Sequence, residues 1–507
     1  MQPATRKTFS ETLRYIPAAI VPSLMGVLSL AVYTRLLPPE EYGSFALVFT
    51  TVLFVHTFAF SWINQSVIRY YERFRKTDPH HFYATLFIGY LGMILVFSLG
   101  WYAVLGWVGI QNQRLATLFH LGPPVLLLYT LGNLVLAFAR VMRKSLKYSS
   151  LVTLNAVLKF LISLLIIYVM GAKADAVLLG IIAAGVIVFV PETIRLSKTW
   201  PPLPSRFRAE ILSGAARYGI PLMGMAFVNI VLSASDRYLI EYLMDSTQVG
   251  IYSAGYKITE SAIMVFASFM MLAFFPALVE SFEKNGLQAT KSLMNDLLKG
   301  FLLFMTPILF GLIAIADDFI RCILGNAYAD AGAVVPWVAA GAFAMGLNQY
   351  FNKSFELKEK TSRLLLLFAV AAGANVLLNL VLIPPLGITG AAVATFAAYL
   401  LALMLSAVFG AGLIRWRFPW KTALIAAAGS TVMAAVVRMV PGLASIWGSL
   451  FLKIIIGAVV YAGFLWLVLR TSGSEEVRAW VQLDRLCEKF KQRSKPPAQH
   501  FSNKLDR

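Results

Sequence analysis

Residues 227–244 read FVNIVLSASDRYLIEYLM. An apolar helical run carries Asn229 and Ser233, then places Asp236 beside Arg237. In a soluble protein such a pair would lie on a solvated face. In a membrane it must face a cavity or a partner, because each charge at the bilayer centre costs at least about 2.5–3.5 kcal/mol. Composition decides between the two. The 507 residues are 59% hydrophobic and 14% charged, with a mean hydropathy of +0.72. An ordinary soluble domain is about 45–50% apolar and about 25% charged. The apolar residues gather into blocks of roughly 20, the length that crosses a hydrocarbon core about 30 Å thick. The sequence reads as an all-α polytopic membrane protein.

Fourteen such blocks are predicted, the first at 15–35 and the last at 447–469. The net charge of +19 sits in alternate short loops. One set is basic, for example Arg69, Arg73, Arg75 and Lys76, or Lys353, Lys358, Lys360 and Arg363. The other set, including LLPPEEYG at 36–43 and PPLG at 384–387, is poor in Lys and Arg. This alternation places both termini in the cytoplasm. It also accounts for the basic balance without nucleic acid. The start MQPATRKTFSETLRYIP is polar for too long to read as a cleavable signal. The tail SEEVRAWVQLDRLCEKFKQRSK, 474–495, predicts an amphipathic helix on the inner leaflet with a basic end.

Two stretches echo each other. YIPAAIVPSLMGVLSLAVYTRLLPPEEYGSFAL begins at Tyr15, and YGIPLMGMAFVNIVLSASDRYLIEYLMDSTQVGIYSAGY begins at Tyr218. Pro17 matches Pro221, Arg35 matches Arg237, and Gly43 matches Gly250. In a second pair, 154–184 and 374–401, Asn155 matches Asn375, Lys159 matches Asn379, and Gly180 matches Gly390. The first repeat spans six blocks, an even number, so both halves enter the membrane in the same direction. Parallel repeats enclosing a cavity are a transporter architecture. The predicted organisation is an N-terminal lobe over 1–200, a C-terminal lobe over 201–415, two added helices over 416–470 and a tail over 471–507.

Charged and amide residues within the blocks are few. Arg35, Lys159, Arg237 and Lys257, with Asn155, Asn375 and Asn379, are the candidate lining of a central cavity. Asp236 and Glu260 are the candidate acids for pairing or ion coupling. Four cations against two acids suit an anionic ligand such as a phosphate. Each residue also has a plainer reading. Arg35 could snorkel at the interface. Asp236–Arg237 could be a structural pair, Lys257–Glu260 a self-satisfied pair one turn apart, and Asn375 and Asn379 could only bond between helices. Lys159 is the hardest to explain away, since it sits deep with no adjacent acid. There is no G-x-x-x-x-G-K-[ST] loop, no H-E-x-x-H and no G-x-S-x-G, so neither ATP hydrolysis nor an enzyme site is predicted. Cysteine and histidine spacing predicts no metal site and no cofactor.

The stretches YTRLLPPEEYGSFAL (33–47), SDRYLIEYLMDSTQVGIYSAGYKI (235–258) and ANVLLNLVLIPPLGITGAAVATFAAY (374–399) resemble the polysaccharide transporter branch of the multidrug/oligosaccharidyl-lipid/polysaccharide exporter superfamily. The resemblance covers roughly residues 10–415. It implies two six-helix lobes in a V and alternating access. The cargo implied is an undecaprenyl-pyrophosphate-linked oligosaccharide, moved from the inner to the outer leaflet of the bacterial cytoplasmic membrane. The cavity cations would hold pyrophosphate and sugar while the polyprenyl chain stays in lipid. Also implied are a monomer, membrane lipids as surroundings, a polysaccharide polymerase and glycosyltransferases as partners, and a role in surface polysaccharide such as O-antigen of lipopolysaccharide or exopolysaccharide. The energy source stays open among an ion gradient, of protons or sodium, the membrane potential and downhill consumption of the product. The alternatives are a peptidoglycan-precursor flippase and a multidrug/cation antiporter of the same superfamily. The antiporter's cavity should hold more acids than this one. A membrane glycan polymerase or ligase usually carries a large outward loop, which this sequence lacks.

Overall fold

A computed structural model describes residues 16–108 and 112–471; the predicted tail helix and the basic residues Arg6, Lys7 and Arg14 lie outside the described residues. The described residues are helical with no strand, in agreement with the all-α membrane fold. Nine helical stretches are long and apolar enough to cross a membrane, or eleven when two bent pairs each count as one span, among the described residues. Two of the nine, Ser246–Ala314 and Thr361–Ala411, have 69 and 51 residues, well beyond the roughly 20 of one crossing.

The chain separates into two compact units. One is Met1–Val265 with Ala316–Ile414, and the other is Phe266–Ile315 with Arg415–Arg507. The first unit opens with α1 (Ile16–Leu36). Pro38 and Pro39 follow and start α2 (Pro39–Ala59), where a missing N–H costs nothing and Glu40 and Glu41 sit in the favoured first turn. The helix breaks at Phe60 and resumes as the basic, amphipathic α3 (Ser61–Thr77). Next come α4 (Pro79–Val108), α5 (Gln113–Phe119), α6 (Gly122–Val141), α7 (Ser145–Met170) and α8 (Ala174–Thr199). Asn112 caps α5 by accepting the Leu115 N–H at 3.1 Å. After α9 (Ala209–Ala234) the chain breaks at Ser235, so Asp236 opens the short α10 (Asp236–Leu243). α11 (Ser246–Glu280) begins in this unit and leaves it after Val265.

The second unit holds the rest of α11, then α12 (Gly286–Ala314). The chain then returns to the first unit for α13 (Ala316–Leu324), α14 (Val335–Phe351), α15 (Lys353–Leu357) and α16 (Thr361–Ala411). α17 (Trp420–Met439) and α18 (Ile446–Thr471) complete the second unit. There Tyr461 donates to the Leu303 carbonyl at 2.9 Å, tying α18 to α12.

α16 is a hairpin. Pro384 and Pro385 precede Gly387, whose φ of +58° only glycine adopts without strain. The two arms return close together: a Cβ on Gly390 would fall on the Leu382 carbonyl oxygen. Its repeat partner Gly180 plays the same part between α7 and α8, where a Cβ would fall on Ser163. Small residues allow helices to approach closely where no hydrophobic force drives them together. Gly180→Val and Gly390→Val are each expected to cost about 1–3 kcal/mol through overpacking, read as a lowered Tm in detergent. A wild-type Tm for both would refute the close approach.

One cluster of large side chains, Phe60, Tyr83, Tyr90 and Phe138 among them, packs α2, α3, α4, α6 and α8. Another, with Leu232, Phe355, Phe368 and Tyr399, packs α9 against α14, α15 and α16. Leu95, Leu99, Leu165, Val408 and Val459 are exposed. In a spanning protein such faces meet lipid tails and cost nothing.

Candidate functional site

The first unit contains a cavity of about 510 Å³ walled by α1, α2, α6, α7, α8, α9, α10 and α11. α1 and α2 supply Tyr33, Tyr42, Phe45 and Phe49, and α7 supplies Asn155 and Lys159. From the second repeat come Ser233, Arg237, Ser253, Tyr256, Lys257 and Glu260. Among the described residues, three cations and one carboxylate thus line a largely aromatic and aliphatic space.

The cations differ in how they are held. Lys159 stands midway along α7, half-buried. It has no hydrogen bond or ion pair to any described residue, so its ammonium group is available to a ligand. Arg237 is fixed. One guanidinium nitrogen donates to the Ser233 carbonyl at 2.9 Å and lies 3.5 Å from an Asp236 carboxylate oxygen. The group also stacks over the Tyr256 ring at 5.2 Å, a cation–π contact. Its side chain is 11% exposed, enough to reach the cavity it lines. Lys257, 62% exposed, pairs with Glu260 at 3.4 Å. That pair is one turn apart, and its exposure makes it a weak one.

Asp236 lies behind this wall, with 1% of its side chain exposed. It accepts the Arg237 backbone N–H at 2.9 Å, the Tyr252 hydroxyl, and the Thr395 hydroxyl at 3.4 Å. Its place at the start of α10 adds the positive end of a helix dipole. The charged pair in the opening stretch therefore divides its work: Arg237 faces the cavity and Asp236 anchors it from within.

Asn375 and Asn379 belong to this buried layer and do not line the cavity. Asn375 donates to the Thr395 hydroxyl at 3.3 Å and accepts from the Ser235 hydroxyl at 3.3 Å and from Asn379 at 3.1 Å. The Asn379 side-chain oxygen is buried with no hydrogen-bond donor among the described residues. Arg35 is also elsewhere. It donates to the Cys322 carbonyl on α13, close to Gly325, so its charge serves a helix end. Thus Asn155, Lys159, Arg237, Lys257 and Glu260 come together, while Arg35, Asp236, Asn375 and Asn379 do not join the lining.

Sequence reasoning missed Tyr252, Tyr256 and Thr395. The two tyrosines lie one turn apart on α11, a spacing that could have shown a shared face. Thr395 had no signal, because its contact with Asp236 crosses 159 positions.

This helical membrane fold is shared with solved transporter structures. The fold matches the solved structure "Lipid II flippase MurJ, inward closed conformation" with a TM-score of 0.75, 14% identity, and 90% of this chain against 99% of that one. It also matches an inward-facing multidrug resistance MATE family transporter of the MOP superfamily, with a TM-score of 0.65, 12% identity, and 79% of this chain against 98% of that one. Within that fold, the chain belongs to the polysaccharide biosynthesis protein family, whose sequence profile matches residues 32–333.

Two curated relatives are similar in sequence. The "Probable low-salt glycan biosynthesis flippase Agl15" of Haloferax volcanii is 22% identical over 294 residues, 57% of this chain and 61% of the relative. The "Succinoglycan biosynthesis transport protein ExoT" of Rhizobium meliloti is 24% identical over 325 residues, 62% of this chain and 61% of the relative. The chain thus spans about three-fifths of the length of each.

Proposed function

We propose that the protein is a flippase, not an enzyme, and that it carries undecaprenyl-pyrophosphate-linked oligosaccharide from the inner to the outer leaflet of the bacterial cytoplasmic membrane for surface polysaccharide. The observation that carries this reading is Lys159, an ammonium group without a counter-ion among the described residues, in a cavity shared with Arg237. An unpaired cation in a membrane cavity is costly unless an anion visits it. A pyrophosphate answers both cations, and the aromatic rings of Tyr33, Phe45 and Phe49 offer faces for sugar. The names of the relatives, a glycan flippase and a succinoglycan transport protein, support a glycan cargo. A multidrug antiporter for organic cations is disfavoured by the cavity's charge.

Alternating access by two six-helix lobes, both termini cytoplasmic, and action as a monomer beside a polymerase and glycosyltransferases complete the reading. The energy source is a proton or sodium gradient. The buried carboxylate of Asp236, with the Thr395 hydroxyl and the unpaired Asn379 oxygen in the same layer, supports that layer as the coupling point. Glu260 is the second acid available.

The test is movement of a fluorescent undecaprenyl-pyrophosphate oligosaccharide between leaflets of proteoliposomes. Losing one charged hydrogen bond costs about 1.5–3 kcal/mol, so Lys159→Ala should slow movement about 10–100-fold, while Lys159→Arg keeps most of it. Equal rates for wild type and Lys159→Ala would remove the cavity assignment. No movement by the wild type, under either gradient, would remove the flippase.

A further inference from the structure

The second unit has a cavity of its own, of about 850 Å³, lined by residues of α12 and of the segment leading into α17. Both helices begin there, α12 at Gly286 and α17 at Trp420. α12 is polar over its first half, with Gln288, Lys291, Asn295, Asp296 and Lys299, and apolar from Gly300 on, so the cavity sits on the watery side of the boundary between water and lipid. Among the described residues the lining carries three cations, Lys291, Arg415 and Arg417, and no acid. None of the three has an ion pair with any described residue. The nearest acid along α12, Asp296, lies 3.7 Å from Lys299. The cavity also has Trp416, whose indole N–H is buried without an acceptor among the described residues. Phe418 and Trp420 pack edge to face with centroids 4.5 Å apart, and Trp420 is 70% exposed. Trp and Tyr concentrate at the headgroup level of membranes.

We infer that this cavity binds the headgroup of an anionic phospholipid. Phosphate oxygens would accept from Arg415, Arg417 and the Trp416 indole, with Lys291 as a third charge, and the acyl chains would run along α12 and α17 below Trp420. A basic pocket between spanning helices, at the level of an aromatic belt, is suited to such lipids. The inference is independent of the cargo proposed for the other unit.

Native mass spectrometry of the full chain tests it, with dioleoyl phosphatidylglycerol, dioleoyl phosphatidylcholine and undecaprenyl phosphate as probes. Wild type should retain phosphatidylglycerol over phosphatidylcholine. Each basic residue near a charged headgroup contributes about a factor of five. The triple variant Lys291→Gln, Arg415→Gln, Arg417→Gln should therefore bind phosphatidylglycerol on the order of a hundredfold more weakly. Should the triple variant fail to fold, Arg417→Gln alone is expected to show a several-fold loss. Lys159→Ala should bind as wild type, which separates this site from the flippase cavity. Equal retention of the two phospholipids, or no loss in the folded variants, would overturn the site. Preferred retention of undecaprenyl phosphate would overturn its assignment to a phospholipid.

Discussion

Asp236→Ala is expected to destabilise the protein by about 3–5 kcal/mol and to stop transport. The carboxylate is buried and faces a guanidinium group that is almost as buried. Its removal leaves Arg237 with a carbonyl and an aromatic ring but no carboxylate within 4 Å among the described residues. It also strips the acceptor from the Tyr252 and Thr395 hydroxyls. Most of the loss is the penalty of stranding these groups. Asp236→Ala/Arg237→Leu should therefore recover much of the stability, and a double-mutant cycle in thermal unfolding measures that recovery. It should not recover transport, because the cavity has then lost a cation. Asp236→Asn keeps an acceptor but no charge. It is expected to fold better than the alanine variant and to lose the response of transport to an applied ion gradient. A single Asp236→Ala variant with the wild-type Tm would end this account of the pair.

Gly43→Leu and Gly250→Leu are expected to have the next largest effect. The two glycines are repeat partners in the sequence, and the fold brings them against each other. A Cβ on Gly43 would fall on the Ser246 carbonyl oxygen and one on Gly250 on that of Pro39; each would also lie within about 3.0 Å of the other glycine's backbone nitrogen. Because the obstacles are backbone atoms, no rotamer change relieves them. Overpacking of a well-packed site costs up to about 3 kcal/mol and occasionally more, and these positions lie at the severe end. Either leucine should force the first turns of α2 and α11 apart. Under alternating access this contact must open and close, so transport should fall at least about tenfold even where the protein still folds. Gly43→Ala tests the same point with the smallest possible intrusion. Folding and transport at wild-type levels in Gly43→Leu would show that the contact is not a constraint.

Much of this protein was determined by its sequence alone. Block length and the scarcity of charge dictate a helical membrane chain, because only a helix satisfies its own backbone in lipid. Lys159 and Arg237 were legible for the same reason: a charge within an apolar block must have a purpose. The matched glycines were legible too, as Gly43 with Gly250 and Gly180 with Gly390.

What they do there was decided only by tertiary structure. A glycine in a repeat shows a constraint but not the neighbour that imposes it; Gly43 and Gly250 prove to be each other's neighbour, whereas Gly180 and Gly390 each admit an adjacent helix. The asparagines Asn375 and Asn379 look like cavity residues along the chain, yet they form a buried layer with Thr395 and Ser235. Arg35 and Arg237 match in the repeat but part in space, one to a helix end and the other to the cavity. Helical periodicity records which residues share a face of one helix. It does not record which other helix that face meets, and the fate of a charge in a membrane depends on that second helix.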